Sequence, residues 1–492
     1  MLQGVQNKPI VDFKGGLNTS FDILSLQDGE SPACMNVEFI DTSVQKRLGV
    51  SSQNTVQVGT GCYGMMDFGV GITPQERRLI IATGTGIMYS TDVGRTWASC
   101  LSSKAATFTN FAYVKNWTVY GDESYGIPMY WTGSTTSQFQ PIATDSAPIA
   151  KFPVSHLGYL FYLNETNNVR GVYYVDDSQI FTTASWDNFQ LPSGRNDEIT
   201  AGFVLRKIMY ISTRYKIFKI TYVGGSPYWA YVEVKSWGFV PRTVCKISVG
   251  EAGEIMIGLD YSKNLRVFNG SDDEILSTRF ENNNGLTEFY LKNLNANQLT
   301  KCWAEVDQSD GVYKLFVPYG DANESTHCIN FNFKHKTFYP FSNQNYSCGV
   351  QSADTANGLH FLVAGTDGRI YRINSGNTDT GTPVNDYLVS NLLFSETPSQ
   401  VNKAQKVDLY FSVTSSNTLY YEDREDFSSI WSTNKIFNLK SDINAVQTSQ
   451  TIDIPKVTSV YQFKLSSSAN TSDPWRLNRV DYLHTPLGYG RA

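Results

Sequence analysis

Apolar positions in this chain come in short runs. "RLIIA" around Ile80, "WTVY" from Trp117, "GYLFYL" from Gly158 and "KIMYIS" from Lys207 open the series. "EIMIGL" from Glu254, "YKLFVP" from Tyr313 and "HFLVAG" from His360 continue it. Their centres lie about 47 residues apart, a spacing that suits propeller blades. Each run is too short for an ordinary helix and rich in β-branched or aromatic residues, so each predicts a strand. A second strand-like piece follows about ten to fifteen residues later. These pieces read "IMYSTD", "PMYWTG", "GVYYVDD", "KIFKITY", "LRVFNG", "CINFNF" and "RIYRINSG". Gly, Asn or Asp often stands nearby as turn chemistry.

The repeated unit is therefore strand, loop, strand and polar turn. A small sheet cannot cover both of its faces, but ringed neighbours can, and radial closure leaves only short edges. The pattern predicts an all-β fold with a β-propeller of six or seven blades, seven being the number of repeats. Two unrelated β-sandwiches are the rival, because short, regularly spaced strands suit them too. The longest gap in the series holds "LKNLNANQLTKCWAEV", the most helix-like stretch, with Asn295 as a cap and Leu299, Cys302 and Trp303 at helical spacing.

From about Pro383 the strands come closer together: "DYLVSNLLF", "KVDLYFSV", "NTLYYED", "NKIFNLK", "QTIDIP", "VYQFKLSSS" and "RLNRVDYLH". Alternation is clear in "KVDLYFSV" and "NRVDYLH", as in an antiparallel β-sandwich. "NSGNTDTGTPVND" before them reads as a linker. Three segments are expected: an extended N-terminal arm or hairpin over 1–55, the propeller over 56–382, and a C-terminal sandwich over 383–492.

Composition agrees with a folded β protein. Of 492 residues 41% are hydrophobic and only 17% charged, enough apolar material for sizeable cores. Formal net charge is −6, and no basic run exceeds the pairs Lys46-Arg47 and Arg77-Arg78. Tight nucleic-acid binding needs clustered cations, so it is not expected. Seven scattered Cys without a C-x-x-C pair suggest buried free thiols in a chain made in a reducing compartment. The first residues lack a signal-peptide pattern, and no apolar run approaches the roughly 20 residues of a membrane helix.

Candidate chemistry is sparse. In "YSTDVGRTW", Ser90, Asp92, Gly94, Thr96 and Trp97 fit S-x-D-x-G-x-[ST]-W. That pattern resembles the Asp box of sialidases and other propeller proteins. A sialidase also needs an Arg cluster, a Tyr nucleophile paired with Glu, and a carboxylate acid/base. Its R-I-P motif is absent, only one convincing box occurs, and Arg residues are dispersed. The box is expected to be a structural corner: Ser90 and Asp92 bond the turn, Gly94 takes positive φ, and Trp97 packs back. His327, Cys328 and His335 match no usual zinc spacing. No phosphate loop and no G-x-S-x-G elbow occurs. The acidic groups Asp176-Asp177 and "SDDE" from Ser271 read as solvated turns. No catalytic residue, cofactor or metal is expected.

Residues 13–50 carry the sharpest signal: "FKGGLNTSFDILSLQDGESPACMNVEFIDTSVQKRLGV". The composition is turn-rich and extended, with one alternating strand in "MNVEFID". The order Phe13-Lys14-Gly15-Gly16-Leu17, Phe21-Asp22-Ile23-Leu24, Asn36-Val37, then Gln45-Lys46-Arg47-Leu48-Gly49 resembles the start of tail nozzle and tail hub proteins (tail tubular protein B-like) of short-tailed bacteriophages. The likeness covers about 40 residues and is architectural beyond them. It implies a structural virion protein rather than an enzyme, made in the host bacterial cytoplasm and placed in the tail. It implies a ring, usually of six copies, below the portal and its adaptor ring. Such a ring passes DNA without sequence-specific binding and carries tail fibres or spikes. Residues Gly15 to Gly49 would then carry the signature of an assembly arm, and deleting residues up to Gly16 should impair assembly more than subunit folding. The alternative is a carbohydrate- or receptor-binding propeller of the tail tip, with Trp131, Trp186 and Trp229 as sugar-stacking aromatics. A more remote one is a glycosidase of sialidase-like fold.

Overall fold

A computed structural model describes the chain except residues 1–3, 20–22, 70–76, 103–107, 123–127, 143–146, 181–185, 195, 226–227, 250–252, 279–289, 354–357, 414–416, 440–447, 468–472 and 490–492. The protein is all-β. Most described residues lie in antiparallel strands, and helix is confined to single short turns.

Seven sheets follow one another along the chain, and the first six run through their strands in sequence order. Sheet 1 comprises Cys62–Gly69, Arg77–Thr83, Gly86–Ser90 and Ala98–Ser102. Sheet 2 has Asn110–Val114, Trp117–Gly121, Met129–Trp131 and Gln140–Pro141. Sheet 3 has Ala150–His156, Tyr159–Glu165, Asn168–Asp176 and Asp187–Gln190. Sheet 4 has Ile199–Leu205, Ile208–Thr213, Ile217–Tyr222 and Trp229–Lys235. Sheet 5 has Cys245–Val249, Gly253–Leu259, Leu265–Phe268 and Asp273–Ile275. Sheet 6 has Trp303–Asp307, Val312–Val317, His327–Asn332 and Thr337–Ser342.

Sheet 7 takes its first three strands, Tyr346–Ala353, Leu359–Gly365 and Ile370–Ile373, from the end of the series. Its fourth is Val50–Ser52, from the other end of the chain, with Ser52 opposite Tyr371 and Val50 opposite Ile373. The short strands Thr378–Asp379 and Thr382–Pro383 extend that edge.

The first strands of neighbouring sheets touch in order, save that the first strand of sheet 4 meets the second strand of sheet 5, and the first strand of sheet 7 packs against that of sheet 1. The succession is one of separate antiparallel sheets, as an all-β fold requires, and none of them closes on itself as a barrel. Small residues let the first strands converge. A Cβ at Gly64 would lie 2.2 Å from the Thr109 carbonyl oxygen, and one at Gly349 would lie 2.8 Å from the Trp303 ring. Bare backbone is the only fit at such approaches. Two cavities, of about 330 and 160 Å³, lie along these first strands. Sheets 1, 2, 6 and 7 and the segment entering sheet 5 line the larger; sheets 2, 3, 4 and that same segment line the smaller.

Beyond these seven, two sheets face each other. One has the order Thr448–Thr458, Gln400–Val413, Trp475–Tyr489, Ser43–Lys46, Val37–Ile40, with Gln6–Ile10 also paired to Trp475–Tyr489. The other has the order Cys34–Met35, Tyr387–Val389, Tyr461–Ser467, Asn417–Glu425, Lys435–Leu439. Their inner faces share one core, with Tyr461 and Tyr482 stacked at 6.0 Å across it. That core continues into sheets 5 and 6 through Phe39 and Tyr339.

Residues 1–55 form no arm of their own. Their strands are shared between the two facing sheets and sheet 7, because an isolated extended segment cannot satisfy its own backbone groups. The helix-like stretch is also shorter than expected. Asn295 does cap it, accepting from the Asn297 N–H, but only Ala296–Lys301 forms, as a 3₁₀ turn. Trp303 begins a strand instead, where its ring stacks on Phe316 at 4.0 Å.

Candidate functional site: the N-terminal joint

The expected arm residues are drawn into a joint between the seven-sheet part and the two-sheet part. Gly15 and Gly16 make a close turn. A Cβ at Gly15 would fall 2.3 Å from Glu30 Cγ, and Gly16 has φ 67° with Thr337 of sheet 6 beside it. Leu17 is buried, and Gly16-Leu17 pairs with Glu30-Ser31. Asp22 lies outside the described residues. Ile23 and Leu24 form a 3₁₀ turn, Ile23 half-buried and Leu24 42% exposed. These two stand apart from the joint.

Asn36 is its hub. It takes a left-handed backbone, φ 55°, which Asn tolerates better than most residues. Its Nδ2 donates to Ser342 Oγ at 2.9 Å and to the Asn385 carbonyl at 2.6 Å. Its Oδ1 accepts from Arg47 Nε at 3.0 Å and from the Ser342 N–H at 2.9 Å. One side chain thus ties the opening stretch, sheet 6 and the linker. Val37, next along, is fully buried in the shared core.

Arg47 grips Asp379 with both ends of its fork, Nη1 to Oδ1 at 2.9 Å and Nη2 to Oδ2 at 2.5 Å. Its guanidinium also lies 5.4 Å from the Phe341 ring centre. Bidentate geometry of this kind suits arginine and not lysine. Lys46 is buried against Asp386, Nζ to Oδ1 at 3.3 Å. That contact is ionic and lacks hydrogen-bond geometry; Oδ2 accepts from Trp475 Nε1 at 2.9 Å. Burial pushes the Asp386 carboxyl up, and Lys46 partly offsets it. Gly49 follows because the chain passes too close to Thr378 for a side chain: a Cβ would lie 2.1 Å from its carbonyl oxygen.

The Asp box is a corner of sheet 1. Ser90 Oγ donates to Asp92 Oδ1 at 2.7 Å and accepts from the Gly94 N–H at 2.8 Å. Asp92 also accepts from the N–H groups of Arg95 and Thr96 and from Thr96 Oγ1, at 3.1, 2.9 and 2.6 Å. Burial alone would raise its carboxyl; these hydrogen bonds outweigh that and hold it below the usual range. Gly94 has φ 85°, and Trp97 Nε1 folds back onto its carbonyl at 3.0 Å. Gln53, just past the strand that completes sheet 7, donates to the neighbouring Val93 carbonyl at 3.1 Å. The side chains of Ser90, Asp92, Thr96 and Trp97 are thus all engaged in building the corner.

The tryptophans considered for sugar stacking are not surface platforms. Trp131 and Trp229 are 0% and 2% exposed, inside sheets 2 and 4. Trp186 is half-buried against Tyr162. His327 faces Tyr319 and Cys328 enters the core, while His335 sits in a turn near Asp41. Among the described residues no group of three His, Cys, Asp or Glu could hold a metal ion, and all seven cysteines are free and buried. Of the "SDDE" carboxylates, Asp273 is paired with Lys235 and Arg266 at 2.6 and 2.9 Å. No described helix is long and apolar enough to cross a membrane.

Asp379, Asp386 and Trp475 complete the joint, and sequence reading missed them. Asp379 lies 332 positions from Arg47 and Trp475 lies 89 from Asp386, and no local pattern marks them. No protein-family model matches this chain, and no curated protein matches it.

Proposed function

We propose that the chain is a structural subunit of a short-tailed phage virion. In this reading six copies form a ring below the portal and adaptor, pass the genome through the bore and carry fibres or spikes. The observation behind it is the ordered N-terminal series from Gly15 to Gly49. The internal use of Asn36, Lys46, Arg47 and Gly49 supports an architectural role for that series, since it fastens two parts of one subunit together.

Ring assembly also needs surfaces for a second copy to cover. Large exposed apolar residues gather on the last hairpin of sheet 4, at Tyr222, Val223, Tyr228, Tyr231 and Val232. The outer strands of sheets 2 and 3 expose Gln140, Pro141, Asp187, Asn188 and Gln190 instead. A second apolar group, Phe427, Ile430, Ile436 and Val457, lies on the two-sheet part. Two unlike patches are what a head-to-tail, closing contact requires. Net charge of −6 also suits a bore that lets DNA slide, because it offers phosphates few cations to displace.

Imaging assembled tails, with the chain identified by mass spectrometry, tests the proposal. A six-membered ring directly below the adaptor is expected. A position at the tail tip together with glycan binding would replace it with the receptor-binding reading. Turnover of a fluorogenic sialoside would replace it with the glycosidase reading.

A further inference from the structure

The larger cavity, about 330 Å³, is bordered by a cation, Arg242, that no described carboxylate pairs. Arg242 precedes sheet 5 and has φ 62°. Left-handed backbone is strained for a long side chain and persists only where the surroundings hold it. Here the Ala304 N–H donates to the Arg242 carbonyl at 2.9 Å. The guanidinium Nη2 donates to the Ser347 carbonyl, and the group lies 5.4 Å from the Phe108 ring centre. No described carboxylate forms a salt bridge with it. Glu324, whose charge it feels, is paired with Lys301 at 3.0 Å. Burial lowers the Arg242 pKa, as expected for a cation in a water-poor space.

Glu305, on the first strand of sheet 6, borders the same cavity. Burial pushes its carboxyl up to about 7 against the pull of the Val306 N–H. The other titratable groups beside it are thiols. Cys245 of sheet 5 is raised well above the ordinary value and Cys348 of sheet 7 to about 11, so both stay neutral.

We propose that this cavity binds a small oxyanion, a carboxylate or a phosphate group, on the Arg242 guanidinium, with Glu305 on the wall of the same cavity. A guanidinium carries five N–H donors in a planar fork that matches oxyanions, and protein acceptors use few of them here. A buried charge is costly until it is paired, so a ligand that supplies the missing charge is strongly favoured. The volume exceeds that of a bare anion, leaving room for a small organic carrier. As Glu305 takes up a proton it stops repelling the anion and gains a donor, so binding strengthens as pH falls through about 7. This site stands apart from the tail reading and neither needs it nor supports it.

The test follows the unfolding temperature of the full chain during titration with acetate or with inorganic phosphate, against sodium chloride at matched ionic strength. A saturable rise is expected with at least one anion, and which anion gives it assigns the carboxylate or the phosphate class. Arg242→Gln should weaken half-saturation by about tenfold or more, the worth of one charge-assisted hydrogen bond. Acetate does not titrate near neutrality, so it reads the pH dependence. Wild type should bind it more tightly at about pH 6 than at about pH 8, and Glu305→Gln should remove the difference. No response beyond that of chloride, or an Arg242→Gln chain that responds like wild type, overturns the proposal. If Arg242→Gln does not fold, the Glu305→Gln comparison decides: an unchanged pH dependence in that variant also overturns it.

Discussion

Lys46 Nζ lies 3.3 Å from Asp386 Oδ1, and neither side chain reaches solvent. The pair joins the opening stretch of the chain to the linker before the two facing sheets. Removing one partner from a buried pair leaves the other charge unpaired, which typically costs about 3–5 kcal/mol. Lys46→Met and Asp386→Asn should each lower stability by about that amount. Lys46→Met combined with Asp386→Asn should cost clearly less than the two single losses added. Urea unfolding midpoints of the three variants measure this, and strict additivity would show that the two groups do not act as a pair.

The first thirteen residues should matter to the subunit itself. Gln6–Ile10 pairs with Trp475–Tyr489, and Ile10 and Phe13 are buried. A chain lacking residues 1–13 should unfold at lower temperature, with faster amide exchange in 480–484. Unchanged stability alongside failed assembly would restore the role of a free arm.

Asp92 should stabilise sheet 1 without any part in sugar chemistry. Asp92→Ala removes the acceptor for two backbone N–H groups and two hydroxyls, and should cost about 1–3 kcal/mol. Its folded pKa is depressed, so this contribution is present above the ordinary value of 3.8 and fades as pH falls through the folded one. Acid unfolding of wild type against Asp92→Asn measures the difference, and superimposable acid transitions would contradict it.

Glu305 acts in the opposite sense. Its folded pKa of about 7 lies above the ordinary value of 4.5, so the folded chain holds the proton more tightly than the unfolded one. Stability from this group is whole below about 4.5 and is lost as pH rises through about 7. Thermal unfolding of wild type minus Glu305→Gln, across that window and without added anion, should show wild type losing ground as pH rises.

The seven apolar runs seen in the sequence are the second strands of the seven sheets, and the pieces that follow them are the third strands. Both positions are covered on two faces, so residues such as Leu160 to Leu163 are apolar without interruption. The first and fourth strands escaped notice for opposite reasons. First strands converge on one another and carry small or polar residues such as Gly64, Thr200 and Gly349. The fourth strands of sheets 2 and 3 are exposed at the sheet edge, as Gln140-Pro141 is, whereas Thr337–Ser342 of sheet 6 is buried. The seven strands of the C-terminal part were legible as closely spaced strand-like runs, and two of them, within Gln400–Val413 and Trp475–Tyr489, by clear alternation. The Asp box was legible as a turn because its partners lie within seven residues.

Hydrophobic period and turn chemistry, both local, were enough for the all-β class, the count of seven units and the corner at Asp92. Long-range pairing was not readable in the same way. The chain closes sheet 7 with Val50–Ser52, lends Gln6–Ile10, Val37–Ile40 and Ser43–Lys46 to a sheet built from its far end, and sets Lys46 on Asp386. Arg242 and Glu305 share a cavity while 63 positions apart in sequence. Such contacts depend on how strand edges and buried charges find partners in three dimensions. A partner hundreds of residues away leaves no trace in the spacing around either residue.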